Sequence, residues 1–526
     1  MKRRSSKTRQ RKDDSAVPEN RRKPNLTQMN GGGKAVTNDK RTVQLELFSD
    51  AAEISKETEV GKVKTYSSTK PDSERLSENT EKKNLLATME AVIYGLEIAF
   101  RKVISNKGAP GTDRQSVADV EANWERIFPE LQRSLHTMDY HPGDIRRVWI
   151  PKSGGGKRGL GIPNVIDRIV QEAVRLVLEP VYENKFSDHS HGFRPNRSCH
   201  TAIAKAKQYI EDGYEWVVDI DLKDFFNKVN HQRLMARLGV EIEDKRILWL
   251  ISRMLKTKTV MPEGVKVSNE EGVPQGGPLS PLLSNIVLDE LDRELMQRGH
   301  HFVRYADDCN IYVRSERAGQ RVFASVKRFI ETRLRLEVNI QKSAVAKPEE
   351  RHFLGFTLCL DRQKGEVQIH LSKRSIERIT NKTKELTPRN YGNSIEDCIR
   401  RLNSYLIGWI GFFHICTKDV MWNLQKIDAH NRRRLRAIQL KHWKRKVSIA
   451  RELIRRGGNP WKVWRAIYDR KRSYWALSHV SIVDKTLDVD YWSNQGLRFL
   501  KDLWRLKNCS AFDSLGQGIL FPGTVV

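Results

Sequence analysis

The sequence predicts an α+β fold, with a mixed body of helices and strands followed by an all-helical remainder. Runs of β-branched residues, glycine-rich turns and amphipathic stretches alternate as far as about residue 360, which is typical of a mixed fold. After Leu371 the apolar residues recur at helical spacing, and Ser394–Asp397 has the composition of a capping box. The first eighty residues contain almost no aromatic residues and many Lys, Arg, Ser, Asn, Thr and Glu, so a disordered basic arm is expected there.

Four segments are therefore predicted along the chain. They are the basic arm (1–80), the mixed body (81–365), a helical domain (366–445) and a basic helical extension (446–526). A helix over residues 85–103 opens the mixed body and ends at a turn that contains glycine and proline, residues 106–111. In the helical domain, apolar residues at helical spacing from Ile395 to Phe413 predict one helix that packs in a bundle.

The charge of the chain indicates a polyanionic partner. Its 526 residues carry a formal net charge of +29 at pH 7, which favours nucleic acid first and an anionic membrane surface second. No apolar run is long enough to span a bilayer, and no hydrophobic signal region follows the basic N-terminus, so no membrane partner is expected. Six cysteines stand singly, without a C-x-x-C pair, which predicts no zinc site or disulfide framework and a reducing cytoplasmic location.

The arm begins with a basic run, Met1–Lys12, which is either a loose phosphate contact or a solvated tail. One apolar island, Gln44–Phe48, interrupts the arm. It resembles the pentapeptide with which bacterial proteins bind the replication sliding clamp, and the alternative is a chance occurrence. The candidate clamp contacts are Gln44, Leu45, Leu47 and Phe48.

Two adjacent carboxylates lie at the turn of a predicted hairpin. Residues 301–313 have the pattern of two short strands joined at Asp307 and Asp308. The pair is either a solvated hairpin tip, because Asp is common in turns, or a divalent-cation site. Mg²⁺ is usually held by one or two carboxylates plus substrate phosphates, so the second reading needs further ligands nearby.

A strand upstream supplies a third carboxylate. The mostly apolar run 216–220 leads into Asp221, and Asp219 lies on the same face. A buried strand carries such acids at a cost unless a cation meets them, although an ordinary strand-end loop is the alternative. Three carboxylates from two adjacent elements can hold two metal ions, one activating an attacking hydroxyl and one steadying a leaving pyrophosphate. The pattern thus predicts two-metal phosphoryl transfer.

Seven blocks in order resemble the group II intron-encoded reverse transcriptase/maturase family, most closely its compact bacterial kind without an endonuclease domain. The blocks are residues 146–163, 192–198, the strand that ends at Asp221, 272–283, the Asp307–Asp308 turn, 336–343 and 353–356, and a helix with Gly408-Trp409 and Phe412-Phe413 follows. The resemblance implies a right-hand polymerase fold, with fingers and palm in 81–365, a thumb (maturase) domain in 366–445 and a candidate DNA-binding extension in 446–526. It also implies a bacterial, nucleoid-associated protein.

The resemblance further assigns roles to single residues. Asp221, Asp307 and Asp308 would be catalytic and would bind two Mg²⁺ ions. Phe226 falls at the family's steric gate, where its ring would exclude a ribose 2′-hydroxyl; a plain core Phe is the alternative. The expected dNTP contacts are Lys152, Arg158, Phe226, Gln275 and Lys342. Lys342 is either a general acid toward pyrophosphate or only a salt-bridge partner. The expected template contacts are Arg194 and Gly276.

Residues 422–475 form the most basic part of the predicted folded region, with Trp443, Trp461 and Trp464 interleaved. Cations with aromatics suit structured RNA, which is bound through its backbone, its shape and stacking. The Trp residues are either stacking platforms or core. The candidate RNA contacts are Arg432, Arg433, Arg434, Arg436, Lys441, Lys444 and Arg445.

The expected function is that of an RNA-directed DNA polymerase that copies intron RNA into cDNA from dNTPs and a DNA primer or target. As a maturase it would also bind the intron RNA to assist splicing and retrohoming. One alternative is a domesticated reverse transcriptase in DNA repair or phage defence, which the absence of a group II intron RNA fold in the flanking DNA would favour. The other is an RNA-binding splicing factor with an idle polymerase, against which the intact carboxylates and the block around Gln275 argue.

Overall fold

The computed structural model describes residues 87–151, 156–417, 419–469 and 473–509. The basic arm, the candidate clamp motif Gln44–Phe48 and the candidate dNTP contact Lys152 lie outside these ranges. Among the described helices, none combines the length and the hydropathy that a membrane span requires.

Helices and strands alternate through the first two thirds of the described chain, and helices follow. The strands are β1 (Ile145–Pro151), β2 (Lys157–Ile162), β3 (Trp216–Ile220), β4 (Thr259–Val260), β5 (Lys266–Val267), β6 (His301–Tyr305), β7 (Asp308–Val313), β8 (Ala344–Ala346), β9 (Phe356–Asp361) and β10 (Glu366–Leu371).

The helices are α1 (Met89–Tyr94), α2 (Leu96–Ser105), α3 (Val117–Ala122), α4 (Trp124–His136), α5 (Val165–Glu183), α6 (Cys199–Glu211), α7 (Phe225–Lys228), α8 (His231–Glu241), α9 (Lys245–Leu255), α10 (Ser280–Gln297), α11 (Glu316–Phe329), α12 (Lys373–Leu386), α13 (Ile395–Phe413), α14 (Val420–His442), α15 (Lys446–Arg455), α16 (Pro460–Tyr468), α17 (Tyr474–Leu477), α18 (Ser481–Thr486), α19 (Val489–Asn494) and α20 (Leu500–Cys509).

The single helix predicted over 85–103 is divided at Gly95, which ends α1 and begins α2. Glycine is a weak helix former because it loses the most backbone entropy on folding. The predicted bundle helix is confirmed as α13, with Ser394 as its N-cap.

The central sheet has the strand order β6-β7-β3-β8. The predicted hairpin is confirmed, since β6 and β7 pair antiparallel with Tyr305 opposite Asp308. Strand β3 pairs antiparallel with β7, and Ile220 lies opposite Cys309. This register brings the end of β3 beside the turn of the hairpin. A second sheet, β2-β1-β4-β5, and the hairpin β9–β10 complete the strands among the described residues.

Two hydrophobic cores lie on opposite faces of the central sheet. The first contains Val218 and Ile220 of β3 together with residues of α5, α8, α9 and α10. The second contains Val217 of β3, residues of α6 and β9–β10, and buried residues of α13 to α20. Because side chains alternate along a strand, Asp219 shares the second face with Val217. The carboxylates therefore lie on the side of the sheet that the helical domain covers.

The predicted segment boundaries fall at connections between elements. The boundary at 365 lies in the tight turn of β9–β10, where Gly365 N–H donates to the Asp361 carbonyl over 2.8 Å. The boundary at 445 lies between α14 and α15, but both helices contribute to the second core. The division into separate domains stays a prediction.

Candidate active site

One buried arginine, Arg304, stabilises the backbone of the Asp307–Asp308 turn. Ala306 has a φ of +56°, in the left-handed region that is costly for a non-glycine residue. Arg304 Nη1 donates to the Ala306 carbonyl over 2.9 Å. Its Nε and Nη2 donate to the two carboxylate oxygens of Asp292 over 2.7 and 2.5 Å, and both side chains are fully buried. These bonds fix the backbone that carries both aspartates.

A neighbouring segment closes the other side of the turn. His191 N–H donates to the Arg304 carbonyl over 2.8 Å, and Asn285 Nδ2 donates to the Gly192 carbonyl over 2.8 Å. A Cβ at Gly192 would lie 2.3 Å from the Ala306 nitrogen, so only glycine fits at this position. The turn is therefore packed on two sides and does not behave as a free hairpin tip.

Asp221 continues β3 to the same place. Its N–H donates to Ser343 Oγ over 3.0 Å, and its carbonyl accepts from Asn339 N–H over 2.8 Å. Lys342 Nζ lies 3.5 Å from Asp221 Oδ2. Asp221 is thus fixed through its backbone, while its carboxylate faces a cation that is mostly exposed.

The carboxylates at this edge influence one another electrostatically. The pKa of Asp308 is raised to about 7, chiefly because surrounding protein desolvates it, and then because of Asp307, Asp219 and Asp221, while Lys342 opposes the rise. Asp308 still reaches solvent. Burial also raises the pKa of Asp307, and the charge of Arg158 opposes that rise. The predicted carboxylates and two of the predicted cations, Arg158 and Lys342, therefore belong to one electrostatic cluster. A bound cation would relieve the repulsion among the carboxylates.

The donor set fits a hard divalent ion. Within the described ranges, no three His, Cys, Asp or Glu side chains converge into a preformed metal cage. Mg²⁺ does not require one, because it keeps several waters and takes oxygen ligands from substrate phosphates beside one or two carboxylates. Carboxylate oxygens are also the ligands that suit Mg²⁺ among biological metals. Asp221, Asp307 and Asp308 would hold such an ion beside oxygen ligands from substrate phosphates and water.

Asp219 is occupied by a partner of its own. Arg351 Nε and Nη2 lie 2.9 and 2.5 Å from Asp219 Oδ2, and Arg351 also donates to the Lys342 carbonyl over 2.5 Å. The charge of Arg351 compensates the cost of burying the Asp219 carboxylate on a strand. Arg351 also positions the segment that carries Lys342. Asp219 is therefore paired with Arg351 and is not one of the three predicted metal ligands.

Backbone hydrogen bonds join the other predicted dNTP contacts. Val273 N–H donates to the Phe226 carbonyl over 2.6 Å, and Gly161 N–H donates to the Gln275 carbonyl over 2.7 Å. The loop of Gln275 thus connects the β1–β2 hairpin, which carries Arg158, to α7. Phe225 is the buried ring of α7, whereas Phe226 is partly buried and packs against the first core. The steric-gate role of Phe226 stays a prediction.

Gly276 permits a close approach of two backbone segments within the protein itself. Its φ is +128°, and a Cβ there would lie 2.5 Å from the Gly161 carbonyl oxygen. The close approach that glycine permits is therefore to the β1–β2 hairpin of the protein itself. Template contact through the exposed backbone of Gly276 stays a prediction.

The expected template contact of Arg194 is wrong. Its side chain is 3% exposed, and its Nη1 donates to the carbonyls of Ser187 and Ser190 over 2.5 and 2.9 Å. Its Nε and Nη2 donate to the Glu183 carboxylate. These bonds occupy the guanidinium completely, so Arg194 anchors the segment that packs beneath the Asp307–Asp308 turn.

Two of the predicted RNA contacts on α14 are wrong for the same reason. Arg434 is buried and donates to Thr387 Oγ1 and the Thr387 carbonyl over 2.6 and 2.5 Å. Arg436 is buried and bonds the Ser478 carbonyl and Asp484. Consecutive residues of a helix point in different directions, and α14 is covered on more than one side, so a basic run cannot all face solvent.

The other predicted RNA contacts stay accessible. Arg432 and Arg433 are partly exposed, and the Arg433 guanidinium lies 3.8 Å from the centre of the Trp475 ring. Lys441 is partly exposed, and its Nζ lies 2.5 Å from Asn390 Oδ1. Lys444 and Arg445 are exposed. RNA contact through these five residues stays a prediction.

Three residues that sequence reasoning missed support the site: Arg304, Asp292 and Arg351. Arg304 had a signal, because it is the one charged residue between apolar neighbours in the strand His301–Tyr305. Asp292 and Arg351 had none. Their role depends on partners 12 and 132 residues away, which no local pattern shows.

Comparisons with known proteins agree with this site. A family model described as reverse transcriptase (RNA-dependent DNA polymerase) matches residues 150–358, and one described as the group II intron maturase-specific domain matches residues 376–457. Protein YkfC of Escherichia coli (strain K12) is 34% identical over 313 residues, which cover 52% of this chain and 82% of YkfC. The group II intron-encoded protein LtrA of Lactococcus lactis subsp. cremoris is 39% identical over 210 residues, 39% of this chain. The matched region spans only 34% of LtrA.

A chain of the partial Cas6-RT-Cas1–Cas2 complex, a solved structure, is 24% identical, with a TM-score of 0.31 over 46% of this chain and 42% of that chain.

Proposed function

We propose that this chain, which belongs to the family of group II intron-encoded reverse transcriptases with a maturase domain, copies RNA into DNA and binds intron RNA. One observation supports the polymerase function. Asp221, which follows the last residue of β3, lies beside the Asp307–Asp308 turn, within the region that the reverse transcriptase model matches. Carboxylates from two adjacent strands, with Arg158 and Lys342 nearby, suit transfer of a nucleotidyl group from a triphosphate.

In this proposal Asp221, Asp307 and Asp308 hold two Mg²⁺ ions. Bound there, the ions would activate the 3′-hydroxyl of a DNA primer and steady the leaving pyrophosphate. Arg158 supplies positive charge toward the triphosphate, and Gln275 can hydrogen-bond sugar or template backbone. The partly buried ring of Phe226 would exclude a ribose 2′-hydroxyl, which would make dNTPs the substrates.

The maturase part is supported by the match of residues 376–457 and by the positive surface that remains on this region. Arg432, Arg433, Lys441, Lys444 and Arg445 are the proposed contacts with the intron RNA backbone, since cations bind structured RNA through phosphates. The extension over residues 446–526 is the proposed contact with a DNA primer or target.

The test is primer extension with the wild-type chain on an RNA template, with dNTPs and Mg²⁺. We expect cDNA whose synthesis stops when EDTA removes the metal and which is strongly reduced when rNTPs replace dNTPs. For the maturase part, the chain should increase splicing of the intron RNA that flanks its gene at low Mg²⁺. The absence of cDNA on any template would overturn the polymerase proposal, and unchanged splicing would overturn the maturase proposal.

Binding of a replication sliding clamp through Gln44–Phe48 is a separate proposal, and only the sequence supports it. A clamp pull-down should retain the wild-type chain and lose the Leu47→Ala/Phe48→Ala variant. Equal retention of the two would reject the motif.

A further inference from the structure

Helix α16 presents three aromatic side chains to solvent. The exposed fractions of Trp461, Trp464 and Tyr468 are 66%, 37% and 50%. Residues three and four apart lie on one face of a helix, so these three residues share one face of α16, here called the aromatic stripe. The opposite face carries the buried residues Val463 and Ile467. Packing within the described residues thus accounts for one face of α16 and leaves the stripe uncovered.

The stripe cannot turn inward to bury its rings. Asn459 Oδ1 caps α16 by accepting from Lys462 N–H over 3.1 Å. In the turn that joins α15 to α16, a Cβ at Gly458 would lie 2.8 Å from the Leu453 carbonyl oxygen and 2.9 Å from Val463 Cγ2. Rotation of the helix would also expose Val463 and Ile467. The rings are therefore presented to solvent by a fixed helix.

Cations accompany the rings. The Arg465 guanidinium lies 5.1 Å from the centre of the Trp461 ring, and Lys446 Nζ lies 5.0 Å from that of Tyr468. Residues 444–469 contain eight Lys and Arg but only two acids. Of these, Glu452 is ion-paired with Arg455 and Arg456. The occupant of the stripe must therefore combine flat apolar surface with negative charge.

We propose that the aromatic stripe binds unpaired nucleotides of a single strand, whose bases stack on Trp461, Trp464 and Tyr468. The strand's phosphates pair with Lys446, Lys462 and Arg465. In a duplex the base faces are covered by their neighbours, so only unpaired bases can use exposed rings in this way. This deepens the proposed function, because a polymerase that copies RNA handles single strands as its template.

The spacing of the rings suits successive nucleotides. The ring centres of Trp464 and Tyr468 lie 5.6 Å apart. Bases in a stacked strand follow one another about every 3.4 Å, and a moderately stretched strand reaches the observed spacing. Trp464 and Tyr468 can thus each serve one base along the strand.

The test measures binding of the full-length chain to labelled oligothymidylate and oligouridylate of about 20 nucleotides and to a DNA duplex of similar length. The variant Trp461→Ala/Tyr468→Ala should bind both single strands about tenfold more weakly or worse. Its duplex affinity should not change. Its salt dependence should not change either, because that slope counts phosphate contacts.

Two further variants distinguish stacking from other effects. The variant Trp461→Phe/Tyr468→Phe should restore most of the single-strand affinity, since it keeps the rings. The matched control Tyr94→Ala removes an aromatic side chain that is 86% exposed on α1 and should bind like the wild type. Unchanged single-strand affinity in the double Ala variant, or an equal loss on duplex and single strand, would overturn the proposal.

Primer extension at saturating primer–template is measured on the same preparations. If wild-type extension is present while the stripe variants bind normally, only this inference fails. If no preparation extends the primer, the proposed polymerase function fails instead.

Discussion

Arg304 illustrates how one buried side chain determines the geometry of the site. Its guanidinium bonds Asp292 twice, Ser190 Oγ at 2.8 Å, Asn285 Oδ1 at 3.1 Å and the Ala306 carbonyl at 2.9 Å. Each donor has a partner, so the burial cost of the charge is compensated. The strained turn at Ala306 persists because this network holds it in place.

Removal of that guanidinium should therefore destabilise the fold strongly. Arg304→Met leaves the fully buried Asp292 charge without its partner, and we expect a loss of about 3–5 kcal/mol in urea unfolding. The control Arg298→Met breaks a more exposed pair with Glu294 and should lose less than about 1 kcal/mol. Equal unfolding midpoints for the two variants would contradict the role given to Arg304.

Phe226 determines substrate choice in the proposed function. Phe226→Ala should raise rNTP incorporation relative to dNTP incorporation about tenfold to hundredfold, since a missing steric contact is worth about that factor. The measurement is the ratio of kcat/KM for dNTP and rNTP. Phe225→Leu changes the buried neighbour and should alter stability without altering this ratio. A ratio that stays constant in Phe226→Ala would mean that the ring is only core.

Among the elements, those with strong local patterns were predictable. The hairpin β6–β7 has β-prone runs on both sides of its turn, and α13 has a cap and a continuous apolar face. The division of the first helix had a local signal in Gly95, because glycine is a weak helix former. Local pattern did not show which arginines of α14 turn inward, because that depends on what packs against each face of the helix.

Asp428 is a further contact that the sequence did not reveal. From the middle of α14 it accepts from the N–H groups of Leu500 and Lys501, at 3.0 and 3.1 Å, and so caps the start of α20. A carboxylate at a helix N-terminus is favourable through both hydrogen bonds and the helix dipole. Burial nevertheless raises the pKa of Asp428 to about 6, although these backbone bonds oppose the rise.

This pKa gives a pH-dependent prediction. The pKa of Asp428 in the folded state lies above its unfolded value of about 3.9. Ionisation of Asp428 therefore lowers the free energy of unfolding as pH rises from about 4 to about 6. In the Asp428→Asn variant this pH-dependent fall in the free energy of unfolding is absent. Relative to wild type, the variant should therefore gain up to about 3 kcal/mol between pH 4 and pH 7 in urea unfolding. Asp490→Asn, which changes an exposed acid on α19, serves as the matched control. A constant difference between wild type and Asp428→Asn would refute the assignment.

In the whole molecule, the second hydrophobic core joins the carboxylate-bearing sheet to the helical domain. It contains Val303 of β6 and Tyr209 of α6 together with Leu402, Leu424 and Trp492 of the later helices. The helical domain is thus packed on the face of the sheet that carries the carboxylates. The sequence predicted the order of the parts and the three aspartates. It did not predict this continuity, because core contacts across hundreds of residues leave no local signal.

The most direct test of the catalytic carboxylates is primer extension on an RNA template with Mg²⁺, comparing the wild type with Asp307→Ala. We expect Asp307→Ala to lose about a thousandfold or more in rate, since a metal ligand at the reacting phosphate contributes several kcal/mol. Asp490→Ala, an exposed acid on α19, should keep wild-type activity. Undiminished cDNA from the Asp307→Ala variant would contradict the assignment of the carboxylate turn as the catalytic site.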